Sequence, residues 1–251
     1  MITLLLCLAL PVLAQPSTDT DWHEALQAAV DQAQAAAPAT VELAATAQVV
    51  PTRNGGLRMI DVGAPWGPVL MADRLVHGNE PPQVRQAMAH ALVARIDAWP
   101  EVAVGLVQEE QDPRVLATLL SGLQRLPAEL ALPELQRALL DPDAQVRVEA
   151  AAVLGRHAEG GQAQDALIGA LADVDPQVRA LAARSLGRHQ VAAAFSPLRA
   201  RLSDPDAQVR LQALRALARI DEGGTRALPE RAALEADADP LVSRAAVQLR
   251  P

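Results

Sequence analysis

A stretch of sixteen residues occurs three times in this chain with only small changes. It reads DPDAQVRVEAAAVLGR at 141–156, DVDPQVRALAARSLGR at 173–188 and DPDAQVRLQALRALAR at 204–219. A repeat of fixed period constrains architecture more than local propensity does, because every copy forms the same unit and stacks on its neighbours. The sequence therefore predicts an array of similar units.

The arginine of the Val-Arg pair marks one column of the repeat and gives its period. In chain order the column holds Arg85, Leu116, Arg147, Arg179, Arg210 and Ser243. Successive members are 31, 31, 32, 31 and 33 residues apart. Six units are therefore expected from about Pro65 to the end of the sequence.

Each unit is expected to contain two helices. The second opens with Asp and Pro, which favour a helix start, and continues with apolar residues at helical spacing. The first helices are predicted at Leu130 to Leu140, Gln162 to Ala172 and Val191 to Leu202, with Gly-Gly pairs in the turns. A single helix pair cannot bury its apolar face, so the pairs must stack into an all-α solenoid.

The repeated openings D-x-D-x-x-V-R and endings A-x-x-L-G-R resemble the short HEAT-like repeats of the phycobilisome lyase type. The resemblance covers roughly residues 65–251. It implies a right-handed α-solenoid of about six HEAT-like helix pairs whose second helices line the concave surface. It also implies a scaffold or binding role more often than catalysis.

The N-terminal segment, Met1 to Ala14, is predicted to be a cleaved signal peptide. It is apolar, places Val12 and Ala14 where signal peptidase selects small residues, and is shorter than the ~20 residues of a membrane span. Because Lys and Arg are missing from its start, a membrane-anchored N-terminus and a misassigned start stay open. Cleavage would remove Cys7, the single cysteine, and would make the mature protein periplasmic or secreted with no membrane span.

Residues 15–64 are predicted to form a linker and an N-terminal cap. A helix is expected from Asp21 to Ala37, and segments 47–50 and 57–62 flank a Pro-Thr-Arg-Asn-Gly-Gly turn that indicates a hairpin. Solenoids need atypical ends to cover the apolar face of the terminal unit. We therefore favour a cap over an independent functional module.

Each central unit carries an Asp and an Arg four residues apart. The pairs are Asp143 with Arg147, Asp175 with Arg179, and Asp206 with Arg210. A catalytic site occurs once, whereas a repeated pair suits a ladder that links neighbouring units through the several donors of the guanidinium group. We therefore predict a structural ladder.

No cofactor or metal site is predicted. His157 and His189 recur with the repeat, about 10 Å apart for packed helices, which is too far for one metal ion. Deoxyhypusine hydroxylase is a HEAT-like di-iron enzyme that uses several His-Glu pairs, but here His-Glu occurs once, at His23-Glu24. The sequence also lacks the common nucleotide-binding and hydrolase motifs.

Positively charged residues recur six and ten positions after the valine of the Val-Arg pair, which places them on one face of each second helix. The sixth position holds His90, Arg184 and Arg215, and the tenth holds Arg125, Arg156, Arg188 and Arg219. Stacked units would turn these residues into a basic stripe. The alternative is that the arginines cap helix carbonyls or are ordinary solvated surface.

The stripe leads to a functional prediction. We expect a non-enzymatic scaffold of the cell envelope that binds an acidic partner protein through a concave, arginine-lined face. The net charge of −8 argues against a nucleic-acid partner. Two alternatives stay open: an enzyme or accessory subunit, lyase-like or hydroxylase-like, with a polar cluster formed by 53–66, His77 and His90, or a purely structural spacer.

Overall fold

The computed structural model describes residues 22–36, 47–51, 57–61, 67–96 and 99–249. The chain divides into two compact units, residues 1–91 and 92–251. The predicted signal peptide and the boundary predicted between residues 64 and 65 lie outside the described residues, as does most of the 53–66 segment.

The first unit contains the predicted N-terminal helix and hairpin. Helix α1 spans Trp22–Ala36, and strands β1 (Ala47–Pro51) and β2 (Leu57–Asp61) pair antiparallel, with Ala47 opposite Asp61. Helices α2 (Gly67–His77) and α3 (Pro82–Val93) follow, and α1 packs against α2. Their buried residues are apolar: Leu26, Val30, Met71, Ala72, Leu75, Ala87 and Met88.

The second unit is a succession of helix pairs. Its helices are α4 (Pro100–Glu109), α5 (Pro113–Gly122), α6 (Ala128–Ala138), α7 (Ala144–Leu154), α8 (Gly161–Ala170), α9 (Pro176–Arg188), α10 (Phe195–Ala200), α11 (Ala207–Ile220), α12 (Glu222–Arg226), α13 (Pro229–Ala233) and α14 (Pro240–Gln248). The second helices α5, α7, α9, α11 and α14 contact one another in series and form one layer. Most of the first helices pack on them as another layer, so the predicted α-solenoid is confirmed.

Two of the first helices are less regular than the sequence predicts. The helix expected at 191–202 is the short α10, flanked by 3₁₀ turns at Ala192–Ala194 and Arg201–Ser203. Pro197 lacks an N–H donor and therefore fits the first turn of a helix but not its interior. In the last pair, Pro229 starts a new helix and separates α12 from α13 for the same reason.

The second helices begin where the sequence predicts because an aspartate caps each one. In α7, Oδ1 of Asp143 accepts hydrogen bonds from the backbone N–H groups of Gln145 and Val146, at 2.7 and 3.4 Å. The equivalent caps are Asp112, Asp175, Asp206 and Asp239. A cap of this kind typically contributes about 1 kcal/mol.

The core lies between the two layers and is built from Leu, Val and Ala. The valine that precedes the repeat column has no exposed surface in any second helix of this unit: Val115, Val146, Val178, Val209 and Val242 are all 0% exposed. Burial of a valine side chain contributes about 1.5–3 kcal/mol. This valine therefore fixes which helix face points inward and leaves the opposite face to solvent.

Candidate functional site

The column arginines link successive units, but their partners are not the ones that the sequence predicts. Nε and Nη2 of Arg179 donate to the two carboxylate oxygens of Asp204 in the next unit, at 2.9 and 2.8 Å. Arg147 pairs in the same way with Asp173, and Arg210 with Asp237. The prediction that each arginine pairs with the aspartate four residues before it is therefore wrong, because that aspartate is the helix cap.

The same three arginines, Arg147, Arg179 and Arg210, also donate hydrogen bonds to carbonyl oxygens in the turn of their own unit. Nη1 of Arg179 donates to the carbonyl oxygens of Asp173 and Val174, at 2.8 and 3.0 Å. Arg147 and Arg210 make the equivalent bonds to their own turns. The fixed fork of the guanidinium group satisfies both sets of acceptors at once. The ladder predicted from the repeat is thus present, and it bridges neighbouring units.

These bonds help to lower the pKa of two of the partner carboxyls, those of Asp204 and Asp237. Burial of Asp204 would by itself raise its pKa, but hydrogen bonds from the Arg179 guanidinium and the Asp206 N–H bring the pKa below its usual value. The pKa of Asp237 is lowered mainly by its hydrogen bonds from Arg210. The charged form of each of these two carboxyl groups is therefore stabilised more in the folded protein than in the unfolded chain.

We expect this arrangement to make the protein sensitive to acid. A group whose pKa is lower in the folded state stabilises above its unfolded pKa, about 3.9 for Asp, and loses this contribution as the pH falls through the folded pKa. The melting temperature should therefore vary little from neutral pH to about 5 and fall below about 4. Circular dichroism melts at a series of pH values measure this, and Asp237→Asn should flatten the acid limb. An equally steep limb in that variant would contradict the assignment.

The repeated histidines make a second contact between units that the sequence does not predict. Nε2 of His157 lies 3.2 Å from the carbonyl oxygen of Leu123, and Nε2 of His189 lies 2.9 Å from that of Gly155. Because a carbonyl oxygen only accepts, each Nε2 carries the proton. These histidines therefore tie the end of one second helix to the end of the preceding one.

The surface that carries the predicted binding residues is the solvent side of the second helices, which we call the second-helix face. Counted from the buried valine, its residues lie one position before and three, six and ten positions after it. For the repeats of α7, α9 and α11 these are Gln145, Glu149, Ala152 and Arg156, the last in the turn after α7; Gln177, Leu181, Arg184 and Arg188; and Gln208, Gln212, Arg215 and Arg219. Helices α7, α9 and α11 are in direct contact, so equivalent residues lie side by side.

The five predicted arginines of this face are exposed. Within the described part of the chain, Arg184, Arg188, Arg215 and Arg219 make no hydrogen bond or ion pair. Within the described residues, Arg156, Arg188 and Arg219 therefore do not cap helix carbonyls, and His157 and His189 contact the carbonyl oxygens of Leu123 and Gly155 at the ends of α5 and α7. The other two predicted residues, Arg125 and His90, are also exposed. Arg125 ends the 3₁₀ turn after α5. His90 lies on α3, in the part of this helix that belongs to the first unit.

An open groove of about 500 Å³ crosses the second-helix face. Its apolar part is formed by Val148, Pro176, Ala180 and Leu181. Its polar part is formed by Arg184, Asp206 and three glutamines, Gln177, Gln208 and Gln212. The glutamines were not predicted from the sequence, although a Gln precedes the valine in all three central repeats and indicates Gln177 and Gln208.

One carboxyl group on α7 opposes the positive charge of this face. Glu149 is half-buried, and burial raises its pKa, while the positive charge of Arg156 acts in the opposite direction. The charge of Arg156, in the turn after α7, is therefore partly neutralised by Glu149 of the preceding helix. The charge available to a ligand is concentrated on α9 and α11.

Among the residues described, no group of three or more His, Cys, Asp or Glu side chains could hold a metal ion. None of the described helices combines the length and the apolar character needed to cross a bilayer.

The fold and the ladder define the class of protein as an α-solenoid of stacked helix pairs. Residues 164–249 match the family of HEAT repeats. The resemblance of the repeated motifs to HEAT-like repeat proteins is therefore confirmed. A comparison with curated protein sequences gives no match.

Three solved structures illustrate the similarity. An engineered protein is 23% identical, with a TM-score of 0.52 over 72% of this chain and 95% of its own. The CpcE–CpcF complex of phycocyanin lyase from Nostoc sp. PCC7120 is 20% identical, with a TM-score of 0.52 over 72% and 75%. A designed armadillo repeat protein in complex with the peptide (KR)4 is 19% identical, with a TM-score of 0.51 over 73% and 99%. At these identities the similarity concerns the fold.

Proposed function

We propose that this protein is a non-enzymatic scaffold of the cell envelope that binds an acidic partner protein through the second-helix face. The observation that carries the proposal is the row of exposed arginines without partners in the described chain, Arg184 and Arg188 on α9 and Arg215 and Arg219 on α11. The column arginines, by contrast, are all engaged in structural bonds. Solenoids of this type commonly bind other proteins through such extended surfaces.

Charge supports the choice of an acidic partner. The chain carries a net charge of −8, so a patch of like-signed arginines on it is a local exception that repels cationic ligands and attracts anionic ones. An acidic partner surface would associate faster and in a defined orientation because the potentials are complementary. On the repeat alone we assign Arg125 to the same surface, since it occupies the equivalent position of an earlier repeat, whereas His90 has that position on α3 in the first unit and stays a prediction.

The proposed location in the periplasm or outside the cell rests on the N-terminal segment of the sequence, whose apolar run ends in Val-Leu-Ala. We therefore expect the partner in the envelope fraction of the cell. The mature chain, from Gln15 onward, is the form expected to meet it.

The experiment that tests this function is capture from the envelope fraction of the source organism. The mature wild-type chain is compared with the Arg184→Glu, Arg215→Glu double variant, and retained proteins are identified by mass spectrometry. We expect an acidic protein to be retained by the wild type and reduced at least about tenfold in the double variant, since two attractive charges become repulsive. Retention by the wild type should also fall with salt.

The matched control compares the single variants Arg184→Glu and Arg226→Glu. Both arginines are exposed helix residues and both changes alter the net charge equally, but Arg226 lies on α12, a first helix, where it pairs with Glu222. Only the change at Arg184 should weaken capture, with both variants retaining helical circular dichroism. Equal retention of the same proteins by the wild type and the double variant would refute the arginine-mediated function.

A further inference from the structure

We infer that the segment bound by the second-helix face is an extended polyproline II chain that carries a carboxylate at every third residue. The inference rests on the proposed function and names the chemistry of the bound segment. The groove crosses α7, α9 and α11, where a glutamine precedes each buried valine and an arginine lies six positions after it on α9 and α11.

The spacing of the second helices selects the conformation. Packed helices lie about 8–10 Å apart, and α9 and α11 are closely packed, since a Cβ added at Gly187 would lie 2.5 Å from Cα of Ala216. A polyproline II chain advances ~3.1 Å per residue and returns to the same face every third residue, or about 9.3 Å. In a β-strand, residues on one face recur every ~6.6 or ~13 Å, and neither distance matches the step of about 8–10 Å between adjacent helices.

A bound helix fits the groove poorly. A helix about 10 Å wide crossing three second helices would span about 20 Å and occupy roughly 1,600 Å³. The groove has about 500 Å³, so most of such a helix would stand outside it. A single extended chain can lie at the bottom of the groove with its backbone close to the lining side chains.

The lining side chains suit an extended chain. Polyproline II has no internal hydrogen bonds, so its carbonyl oxygens need outside donors. The side-chain amides of Gln177, Gln208 and Gln212 make no hydrogen bond within the described residues and offer such donors along the groove. The apolar surface of Val148 and Leu181 would contact proline rings, and Arg184 and Arg215, one helix apart, would pair with carboxylates three residues apart.

The test uses two fluorescently labelled peptides of identical length and composition, made of glutamate and proline. One has glutamate at every third position, and the other alternates spacings of two and four residues. Affinity for the full mature chain is measured by fluorescence anisotropy at low salt. Because two exposed charge pairs contribute up to about 1 kcal/mol each, the period-three peptide should bind about tenfold more tightly.

The Arg184→Gln, Arg215→Gln variant should remove this preference, whereas Arg199→Gln, Arg226→Gln should retain it, since these exposed arginines on α10 and α12 pair with Glu230 and Glu222. Equal binding of both peptides, lost together in the first variant, would overturn the spacing but leave the acidic-partner function in place. Binding of neither peptide, while capture from the envelope succeeds, would overturn the extended conformation. Failure of the capture experiment as well would overturn the proposed function itself.

Discussion

Replacing Arg179 with methionine is expected to lower the free energy of unfolding of the second unit by about 3–5 kcal/mol. The side chains of Arg179 and Asp204 are only 10% and 1% exposed, and the two form a bidentate pair between neighbouring units. Removing one partner leaves the other charge buried without compensation, which costs far more than the net contribution of the intact pair. The carbonyl oxygens of Asp173 and Val174 would also lose their donor.

The matched control for this prediction lies on the same helix. Arg184→Met makes the same chemical change on α9, but Arg184 is exposed and has no partner among the described residues, so its effect should stay within about 0.5 kcal/mol. Urea denaturation followed by circular dichroism measures both variants. Similar midpoints for Arg179→Met and Arg184→Met would show that the ladder contributes little to stability.

The second large effect is expected at Gly187, where two second helices touch. A Cβ at this position would lie 2.5 Å from Cα and 2.6 Å from Cβ of Ala216. Because one of these atoms belongs to the backbone of α11, no rotamer change relieves the clash, and the helices must move apart. Gly187→Ala should therefore lower the free energy of unfolding by about 1–3 kcal/mol, although alanine is the better helix former.

Gly169→Ala is the control because it makes the same substitution with the opposite expected sign. Gly169 lies in α8, and a Cβ there would meet nothing within 4 Å. The change should raise the free energy of unfolding by up to about 1 kcal/mol through the lower entropy of the unfolded chain. Urea midpoints that shift in the same direction for both variants would contradict the proposed contact between α9 and α11.

The sequence predicts the second helices well because their signals are local. An aspartate cap, a buried valine and apolar residues at helical spacing all lie within one turn or two of each other, as in Asp143 and Val146. The partner of Arg147 could not be predicted in this way. Asp143 and Asp173 both recur with the same period as the arginine, so spacing alone does not distinguish a contact within a unit from a contact with the next one.

The candidate surface was predictable in part for the same reason. The positions of Arg184 and Arg215 follow from helical periodicity, and both are exposed as expected. The groove depends on which side chains of three different helices are small enough to leave space, such as Ala180 beside Val148. That property arises from packing between units and is not present in any single repeat.

The direction of the arginine ladder has a consequence for synthesis on the ribosome. Three column arginines pair with an aspartate that lies 25 to 27 residues further along the chain: Arg147 with Asp173, Arg179 with Asp204, and Arg210 with Asp237. When such a unit emerges from the ribosome, its guanidinium group therefore has no carboxylate partner yet. The ion pair can form only after the turn that carries the aspartate has left the exit tunnel. The ladder ends where Ser243 replaces arginine and its hydroxyl donates to the carbonyl oxygen of Glu235, which precedes it in the chain. The unit that contains Ser243 thus closes on residues that have already been made.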